Sequence, residues 1–208
     1  MVCVINRYTK GQHSQLIQAM HAERKRVFID LQKWNLPHDG RCEYDEFDTE
    51  HAQYLVLADA AGGDHLASLR LLRTDMPHLM SEVFPYLCER GVPRGSDIRE
   101  ITRLCLSPRL RTGDRRRARN TLVRAMVEYG LMTGISAYTA VCEMSFLSEV
   151  LAIGWDVDPL GLPQMVDGKM LGAFQINLAP DTLSKMCDGW RCEQPALKLP
   201  EFDSVTIN

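Results

Sequence analysis

Three charged side chains follow Asp97 within a largely apolar segment in the middle of the chain. Residues 97–108, with the sequence DIREITRLCLSP, have the composition of a mostly buried β-strand, yet they include Arg99, Glu100 and Arg103. Charges in a buried strand are costly unless they are paired or functional. A carboxylate and two guanidiniums at such positions are therefore candidates for a binding or catalytic site.

The spacing of these charges sets a geometric condition. Regular alternation along a strand places Glu100 and Thr102 on one face and Arg99, Ile101 and Arg103 on the other. A regular strand would therefore not direct Glu100 and Arg103 into the same site. Both side chains serve one site only if the strand has a bulge or splays between them, as strands beside active sites often do.

A further arginine lies on the apolar face of the first predicted helix. Arg24 follows Met20 by four residues and precedes Phe28 by four, so the three side chains share one face. One interpretation is that Arg24 extends from the edge of this face to solvent. The other is that it faces an anion in a cleft. Periodicity leaves both interpretations open.

An acidic loop follows that helix. The segment CEYDEFDTEH, residues 42–51, contains five carboxylates: Glu43, Asp45, Glu46, Asp48 and Glu50. A solvated acidic loop is the usual explanation, and the spacing does not fit an EF-hand calcium loop. The alternative is a set of carboxylates that neutralises buried arginines or a cationic ligand, for which Trp34 would supply a ring face. Arg70, between leucines in LASLRLLRT, needs such a partner, and Asp45 or Asp48 would form a structural ion pair with it.

Six arginines are concentrated just after the charged strand. They lie between Arg109 and Arg119 in the segment SPRLRTGDRRRARN, beside Gly113 and a predicted helix start. A strand, a short turn and a helix N-terminus would make an anion site, although a solvated basic face is the more frequent outcome. The sequence contains no G-x-S-x-G nucleophile motif, no Walker A motif and no Rossmann glycine pattern after a strand.

These residues must be positioned by a mixed α/β fold. The hydrophobic pattern predicts an edge strand over 2–5, further strands over 53–59, 65–74, 97–108, 136–143 and 168–178, and helices over 12–33, 77–87, 113–133 and 146–153. This order predicts one mixed central sheet flanked by helices. With 208 residues, of which 45% are hydrophobic, the chain suits a single domain over 1–208, with a polar tail over about 190–208.

Composition argues against several classes of protein. The formal net charge of −3 at pH 7 disfavours a general nucleic-acid binder, and no apolar run is long enough to span a membrane. The N-terminus lacks the layout of a signal peptide. The seven cysteines show neither a CxxC motif nor the Cys/His spacing of a zinc site, which favours free thiols in a reducing cytoplasm and no metal centre.

Taken together, the motifs resemble the acyl-homoserine-lactone synthases, the autoinducer synthases of bacterial quorum sensing. The matching residues, which span roughly the first half of the chain, are Arg24, Phe28, Trp34, Asp45, Asp48, Arg70, Phe84, Glu100 and Arg103. The resemblance implies an acyltransferase with a fold related to the GNAT N-acetyltransferases. It also implies two substrates, S-adenosylmethionine and an acyl thioester of acyl carrier protein or coenzyme A, and no prosthetic group. The products would be an N-acyl-homoserine lactone, methylthioadenosine and the free thiol.

The resemblance also implies a role for each residue. The S-adenosylmethionine pocket would be formed by Arg24, Phe28, Trp34, Asp45, Asp48 and Arg103. The alternative is that some of these acids and arginines form a supporting ion-pair cluster, in which Arg70 would pair with Asp48. Glu100 would take a proton from the substrate amine, directly or through water, because burial raises a carboxyl pKa while nearby arginines oppose the shift. The acyl carrier protein or coenzyme A would be met by Arg109, Arg111, Arg115, Arg116 and Arg117.

The acyl chain needs an apolar tunnel. The candidates, each of which would equally suit an ordinary core, are Met80, Phe84, Leu104, Met126, Met144, Phe146 and Leu147. In this family a threonine near residues 139–143 often marks the use of 3-oxo acyl chains. Here those positions read Val141, Cys142 and Glu143, with Thr139 close by, so a 3-oxo substrate is neither indicated nor excluded. Glu143 would contact a polar end of the acyl donor or point outward.

Two other functions compete with this one. A GNAT-like N-acyltransferase that uses acyl-CoA on another amine would be expected to contain a Q/R-x-x-G-x-G/A turn after the central strand, whereas RTGDRRRARN keeps one glycine. A non-catalytic binder of acyl carrier protein would leave Arg24 and Glu100 without a reason to lie on apolar faces. An acyl-homoserine-lactone synthase is therefore the leading prediction.

Overall fold

The computed structural model of the chain describes residues 1–186, 190 and 196–198. Its strands are β1 (Val2–Ile5), β2 (Gln53–Ala58), β3 (His65–Arg73), β4 (Ile98–Leu106), β5 (Ala137–Glu143), β6 (Asp156–Pro159), β7 (Gln164–Val166), β8 (Lys169–Asn177) and β9 (Leu197–Lys198). Its α-helices are α1 (Ser14–Arg24), α2 (Leu79–Glu82), α3 (Thr112–Thr133), α4 (Met144–Leu151) and α5 (Thr182–Lys185). A 3-10 turn (Lys10–His13) precedes α1, a π-helical segment (Lys25–Leu31) continues it, and a second 3-10 turn (Pro85–Leu87) follows α2.

All of these strands belong to one sheet with the order β6-β8-β5-β4-β3-β2-β1-β9, and β7 pairs with β8 outside this path. The β4–β5 and β1–β9 pairs are parallel, and the other pairs are antiparallel. The predicted mixed sheet flanked by helices is therefore confirmed. No described helix has both the length and the apolarity that crossing a lipid bilayer requires.

The centre of the sheet opens between β4 and β5. These two strands pair only from Ile98 with Ala137 to Ile101 with Ala140, whereas β5 goes on pairing with β8 as far as Glu143. Beyond Ile101 the two parallel strands separate. A wedge-shaped gap therefore forms in the sheet, and side chains from both of its faces reach that gap.

The charged strand contains the β-bulge that it would need if Glu100 and Arg103 served one site. Arg70 pairs with Thr102 and Ser68 with Cys105, so β4 has one residue more than β3 between these two pairs. Arg103 lies in the bulge with a φ of 53°, a left-handed conformation that costs a non-glycine residue roughly 1–2 kcal/mol. Because of the bulge, Glu100, Thr102 and Arg103 all lie on the face of the sheet that α1 covers.

Helices cover the two faces of the sheet with separate apolar cores. On the α1 face the buried residues include Leu16, Ile17, Met20, Tyr54, Val56 and Leu72. On the α3 face they include Leu69, Leu71, Leu122, Met126, Tyr138 and Phe174. The spacing of Leu16 and Met20, and of Leu122 and Met126, is the four-residue repeat that turns one side of a helix toward a core.

Several predicted elements differ from the structure. Strand β1 is not an edge strand, because β9 pairs with its free side. Of the predicted polar tail, Trp190, Ala196 and Leu197 are described and buried, so these residues belong to the core. The carboxylate of Glu128 on α3 binds this segment, accepting hydrogen bonds from the backbone N–H groups of residues 196 and 197 at 3.0 and 2.9 Å.

Strands β6 and β7 were not predicted because they are short and contain no buried residue. Five cysteines are free thiols in the structure: Cys3, Cys42, Cys88, Cys105 and Cys142. Cys187 and Cys192 lie outside the described residues. Burial raises the pKa of the Cys142 thiol to about 12, which leaves it protonated and unreactive at neutral pH.

Gly134 ends α3 in the left-handed conformation, with a φ of 72°. Gly134→Ala is expected to lower the free energy of unfolding by about 1 kcal/mol, because a Cβ disfavours this conformation. Urea denaturation at pH 7 measures the change. Gly113→Ala is the matched control, since a Cβ at this helical position meets nothing within 4 Å. An equal loss in both variants would contradict the conformational explanation.

Candidate active site

An aromatic pair is built by the π-helical end of the first helix. The backbone N–H of Gln32 donates to the carbonyl of Val27 at 3.0 Å, and Lys33 then turns the chain with a φ of 61°. The N–H of Trp34 can therefore donate to the carbonyl of Phe28 at 2.9 Å. The two rings stack with centroids 5.1 Å apart and an interplanar angle of 14°. Single π-helical turns of this kind are frequent at functional sites.

A cluster of three arginines and three carboxylates lies next to this pair, and we call it the ion-pair cluster; its members are Arg24, Arg70, Arg103, Glu43, Asp45 and Asp48. Arg24 donates to both carboxylate oxygens of Asp48 at 2.8 and 2.9 Å and to Oε2 of Glu43 at 2.5 Å. Arg70 donates to both oxygens of Asp45 at 2.5 and 2.8 Å. The cluster therefore contains equal numbers of positive and negative charges.

Strand β4 is fixed to the ion-pair cluster at its bulge. Nε of Arg70 donates to Oγ1 of Thr102 at 2.9 Å. A terminal nitrogen of Arg103 donates to Asp45 at 2.7 Å and to Glu43 at 3.0 Å, and the guanidinium carbon lies 5.9 Å from the Phe28 ring centroid. The cluster thus stabilises the left-handed conformation of Arg103 and holds its side chain against the aromatic pair.

The interpretation in which Arg24 extends to solvent is wrong. Arg24 is 1% exposed and Arg70 is fully buried, and carboxylates occupy both guanidiniums. Burial opposes ionisation of Asp48, but the hydrogen bonds and charge of Arg24 outweigh it and hold the pKa of Asp48 well below its usual range. The sequence predicted that Arg24, Asp45 and Asp48 contact a substrate. They are absent from the described lining of the pocket and belong to the ion-pair cluster beside it.

Glu43 is the member of this cluster that sequence reasoning did not single out. It has no exposed surface, and its backbone N–H donates to the carbonyl of His21 at 3.1 Å. Its backbone carbonyl lies 2.8 Å from Nδ1 of the same histidine. Burial, with the positive charge of Arg24 as a second cause, lowers the pKa of His21 to about 4, so this histidine is neutral at pH 7. These contacts fix Glu43 between Arg24 and Arg103.

Glu100 is fully buried at the point where β4 and β5 begin to separate. Its Oε1 accepts a hydrogen bond from the backbone N–H of Met80 at 3.0 Å, while Oε2 has no partner among the described residues. Thr139 is its register partner on β5, and the Thr139 hydroxyl is likewise buried without a described partner. Burial raises the pKa of Glu100 to about 7, against the lowering effects of the Met80 N–H and Arg70. A carboxyl group with this pKa suits proton transfer at neutral pH.

A pocket of about 410 Å³ occupies the gap between β4 and β5. One group of lining residues, which we call the mouth, brings aromatic and polar side chains together: Phe28, Trp34, Thr102, Arg103 and Glu143. A second group, which we call the apolar chamber, consists of Leu104, Val123, Met126, Phe146, Ile153, Trp155, Phe174, Ile176 and Trp190. The pocket therefore offers polar and aromatic contacts in one group of residues and an apolar surface in the other.

The predicted acyl-tunnel residues divide into two groups. Leu104, Met126 and Phe146 line the pocket, and Met144 and Leu147 do not. Met80 and Phe84 pack in a separate apolar cluster beside Glu100. Several lining residues were missed, of which Val123 was accessible from sequence because it lies one helical turn before Met126. Trp155 and Phe174 lie in the second half of the chain, where no charged residue drew attention to them.

The predicted donor-binding arginines are also dispersed. Arg115 lines the pocket and donates to the carbonyls of Leu106 and Ser107 at 3.2 and 3.3 Å. Arg119, not among the predicted five, lines it too, with its guanidinium 4.0 Å from the Trp190 ring centroid. Arg109 instead contacts Asp64 and Glu23 at 3.2 and 3.5 Å. The remaining three, Arg111, Arg116 and Arg117, are exposed around the start of α3. In the described part of the chain, no group of three or more His, Cys, Asp or Glu side chains could hold a metal ion.

Comparison with known proteins identifies the family. Residues 8–182 match the family model described as autoinducer synthase. The isovaleryl-homoserine lactone synthase of Bradyrhizobium diazoefficiens is 30% identical over 212 residues, an alignment that covers 99% of this chain and 93% of that protein. A solved CoA-dependent acyl-homoserine lactone synthase in complex with SAM and isopentyl-CoA is 27% identical with a TM-score of 0.83, covering 88% of this chain and 86% of that one.

A more distant structural relative confirms the predicted fold class. An acyl-CoA N-acyltransferase from Pseudomonas aeruginosa is 16% identical with a TM-score of 0.57, covering 84% of this chain and 97% of that one. At this identity the likeness shows the fold alone. The family match over residues 8–182 and the similarity to the Bradyrhizobium enzyme along nearly the whole of both chains show the family. The chain therefore belongs to the autoinducer synthase family and is an acyltransferase.

Proposed function

We propose that the protein transfers an acyl group from a thioester to the amine of S-adenosylmethionine and then closes the lactone, giving an N-acyl-homoserine lactone and methylthioadenosine. The observation that carries this proposal is the pocket in the wedge between β4 and β5. Its apolar chamber suits an acyl chain, and its mouth combines two aromatic rings, an arginine and a carboxylate. The relatives with SAM and isopentyl-CoA, and with an isovaleryl product name, support the same reaction.

The first step forms the amide. The amine nitrogen attacks the thioester carbonyl, the C–N bond forms, the C–S bond breaks, and the thiol departs with one proton. The amine must first lose a proton, because its protonated form has no lone pair. Glu100 is the proposed acceptor, directly or through a water, since its Oε2 has no described partner and its pKa is about 7.

The second step closes the ring. An oxygen of the substrate carboxylate attacks the carbon next to the sulfonium, the C–O bond forms, and the C–S bond breaks to release neutral methylthioadenosine. The leaving group is already activated by its positive charge, so the protein mainly has to hold the carboxylate in line with that carbon. Arg103 is the proposed carboxylate ligand, with Phe28 and Trp34 as the aromatic surface for the adenosine. Arg24, Arg70, Asp45 and Asp48 fix Arg103 in place through the ion-pair cluster.

The donor would enter from the side of α3. Arg115 and Arg119 are the arginines that line the pocket there, and their charges would attract the phosphates of coenzyme A or of a phosphopantetheine arm alike. We propose acyl-CoA as the donor, because the solved relative is described as CoA-dependent. Acyl carrier protein is the alternative, and the exposed arginines near the start of α3 would then meet its acidic surface.

The test is a reaction of purified protein with S-adenosylmethionine and matched panels of acyl-CoA and acyl carrier protein thioesters, read by mass spectrometry. Formation of both the lactone and methylthioadenosine supports the proposal, and the faster panel identifies the donor. If no donor yields methylthioadenosine, the proposed function is wrong. An acylated amine without methylthioadenosine would indicate a simple N-acyltransferase instead.

Phe146 provides a test of the acyl chamber. Phe146→Ala removes a half-buried ring from the pocket wall and is expected to shift the ratio of kcat/KM toward bulkier acyl groups by about tenfold. Competition between two acyl donors that differ by two methylene groups measures this ratio directly. Leu147→Ala is the matched control, since Leu147 is adjacent but is not among the described lining residues. The same shift in both variants would contradict a direct role for Phe146.

A further inference from the structure

A carboxylate and an aromatic ring at the mouth of the pocket hold a cation that belongs to the protein itself. The ammonium of Lys169 forms an ion pair with Glu143 and lies 5.3 Å from the ring centroid of Trp34. We call the space between Glu143 and Trp34 the cation niche. Its composition is the one that proteins use to bind positively charged groups, a negative charge beside an aromatic face.

Local structure fixes each part of the niche. Glu143 is the last residue of β5 and the N-cap of α4, yet its side chain makes no capping hydrogen bond, so the carboxylate is available to the pocket. Lys169 pairs with Val166 across the tight turn of Asp167 and Gly168, which have φ angles of 47° and 77°. Glu143 pairs with Leu171, two residues beyond Lys169 on the same face of β8. Both side chains therefore project toward the mouth.

The charges of the lining residues make the cation niche a candidate binding site. Glu143 is the only acidic side chain among the described residues that line the pocket, which also include Arg103, Arg115 and Arg119. The nearby carboxylates of the ion-pair cluster are already bound to arginines. S-adenosylmethionine carries a sulfonium that needs a negative or aromatic partner. Among the described lining residues, Glu143 supplies the negative charge, and Trp34 supplies the aromatic ring next to the cation that Glu143 binds.

The ion pair itself contributes little to folding. The Lys169 and Glu143 side chains are 40% and 37% exposed, and pairs this exposed are worth little in stability. Lys169 can therefore leave the niche for solvent at small cost. A ligand cation that enters the niche replaces the lysine ammonium on both Glu143 and Trp34.

We propose that Glu143, together with Trp34, binds the sulfonium of S-adenosylmethionine, and that Lys169 occupies this niche in the free protein and is displaced by the substrate. This inference rests on the proposed function. It requires substitutions of the two ion-pair partners to have opposite effects on substrate affinity. A merely structural ion pair would instead give losses of the same sign.

The test compares two ligands that differ at the sulfur atom. S-adenosylhomocysteine has the same adenosine, ammonium and carboxylate as S-adenosylmethionine but a neutral thioether. In calorimetric titrations of the intact protein, Glu143→Gln should weaken S-adenosylmethionine binding by about threefold to tenfold and leave S-adenosylhomocysteine binding unchanged. Lys169→Met should strengthen S-adenosylmethionine binding by about twofold to fivefold, since it removes the internal competitor. In the double variant the gain from Lys169→Met should disappear.

Each outcome decides the inference. Equal weakening of both ligands by Glu143→Gln, no weakening at all, or weaker binding in Lys169→Met would each overturn it. Thermal melting of every variant separates these results from unfolding, and the exposure of both side chains predicts unchanged melting temperatures. If the unaltered protein binds no S-adenosylmethionine and forms no methylthioadenosine, the proposed function itself is wrong. If the unaltered protein is active and the variants match it, only the cation niche is refuted.

Discussion

Glu100→Gln is expected to lower kcat/KM for the acyl transfer by about 10²-fold to 10⁴-fold, the usual contribution of a positioned general base. The substitution keeps the size of the side chain and an oxygen to accept from the backbone N–H of Met80. It removes the group that would take the proton from the substrate amine. Steady-state kinetics with the donor that proves active measures the loss. Binding of S-adenosylmethionine should be retained, because Glu100 is not among the described residues that line the pocket.

The pH profile provides a second, independent measure of the same role. Because burial raises the pKa of Glu100 to about 7, the carboxylate form should grow through neutrality, and kcat/KM should rise with pH and level off above that value. In Glu100→Gln this rise should be absent from the residual activity. A rise that persists unchanged in the variant would assign the ionisation to another group.

Stability distinguishes lost chemistry from lost folding in this variant. A carboxyl group whose pKa is higher in the folded protein than in the unfolded chain destabilises the fold as pH increases through that interval. Glu100→Gln, which resembles the protonated form, should therefore be more stable than the unaltered protein at pH 8. This difference should shrink as the pH falls from about 7 to about 4.5 and should be small below that. An inactive variant that is also less stable at pH 8 would leave Glu100 with a structural role.

The strand that carries Glu100 shows what sequence reasoning can reach. In a regular strand Glu100 and Arg103 would lie on opposite faces, so they can serve one site only if the strand has a bulge. The structure contains that bulge. The position of the extra residue was not predictable, because alternation before and after a bulge looks the same whichever residue is inserted. Arg103 takes the left-handed conformation because the carboxylates of Glu43 and Asp45 lie within reach of its guanidinium.

The acidic loop and the pocket wall show where sequence reasoning ends. Glu43 and Glu46 are similar in type and context, and only the backbone contacts of Glu43 with His21 select it for the ion-pair cluster. An irregular loop has no periodicity from which such a choice could be read. The pocket wall was partly missed for a related reason: residues such as Trp155 and Phe174 look like ordinary core until the separation of β4 and β5 turns them toward a gap.

Asp48→Asn is expected to reduce the free energy of unfolding by about 3–5 kcal/mol at pH 7, as removal of one partner from a buried ionic network does. The carboxylate accepts from Arg24 at 2.8 and 2.9 Å, from the Tyr54 hydroxyl at 2.8 Å and from the backbone N–H of Asp45 at 2.9 Å, and it lies 2.8 Å from a nitrogen of Arg70. An asparagine leaves three buried guanidiniums with two carboxylates. Urea denaturation measures the loss, with the exposed Glu50→Gln as a charge-matched control expected to change stability by less than about 0.5 kcal/mol.

The pH dependence of this difference separates charge from packing. Arg24 holds the pKa of Asp48 below its usual range despite burial, so the stabilisation is fully present above the unfolded value near 3.9 and is lost as the pH falls further. The neutral asparagine has no such stabilisation to lose. The difference in unfolding free energy between the two proteins should therefore narrow between about pH 4 and pH 2. If this difference in unfolding free energy stays constant over that range, Asp48 stabilises the fold through shape and hydrogen bonding. The balance of three arginines against three carboxylates is then not what holds Arg103 in place.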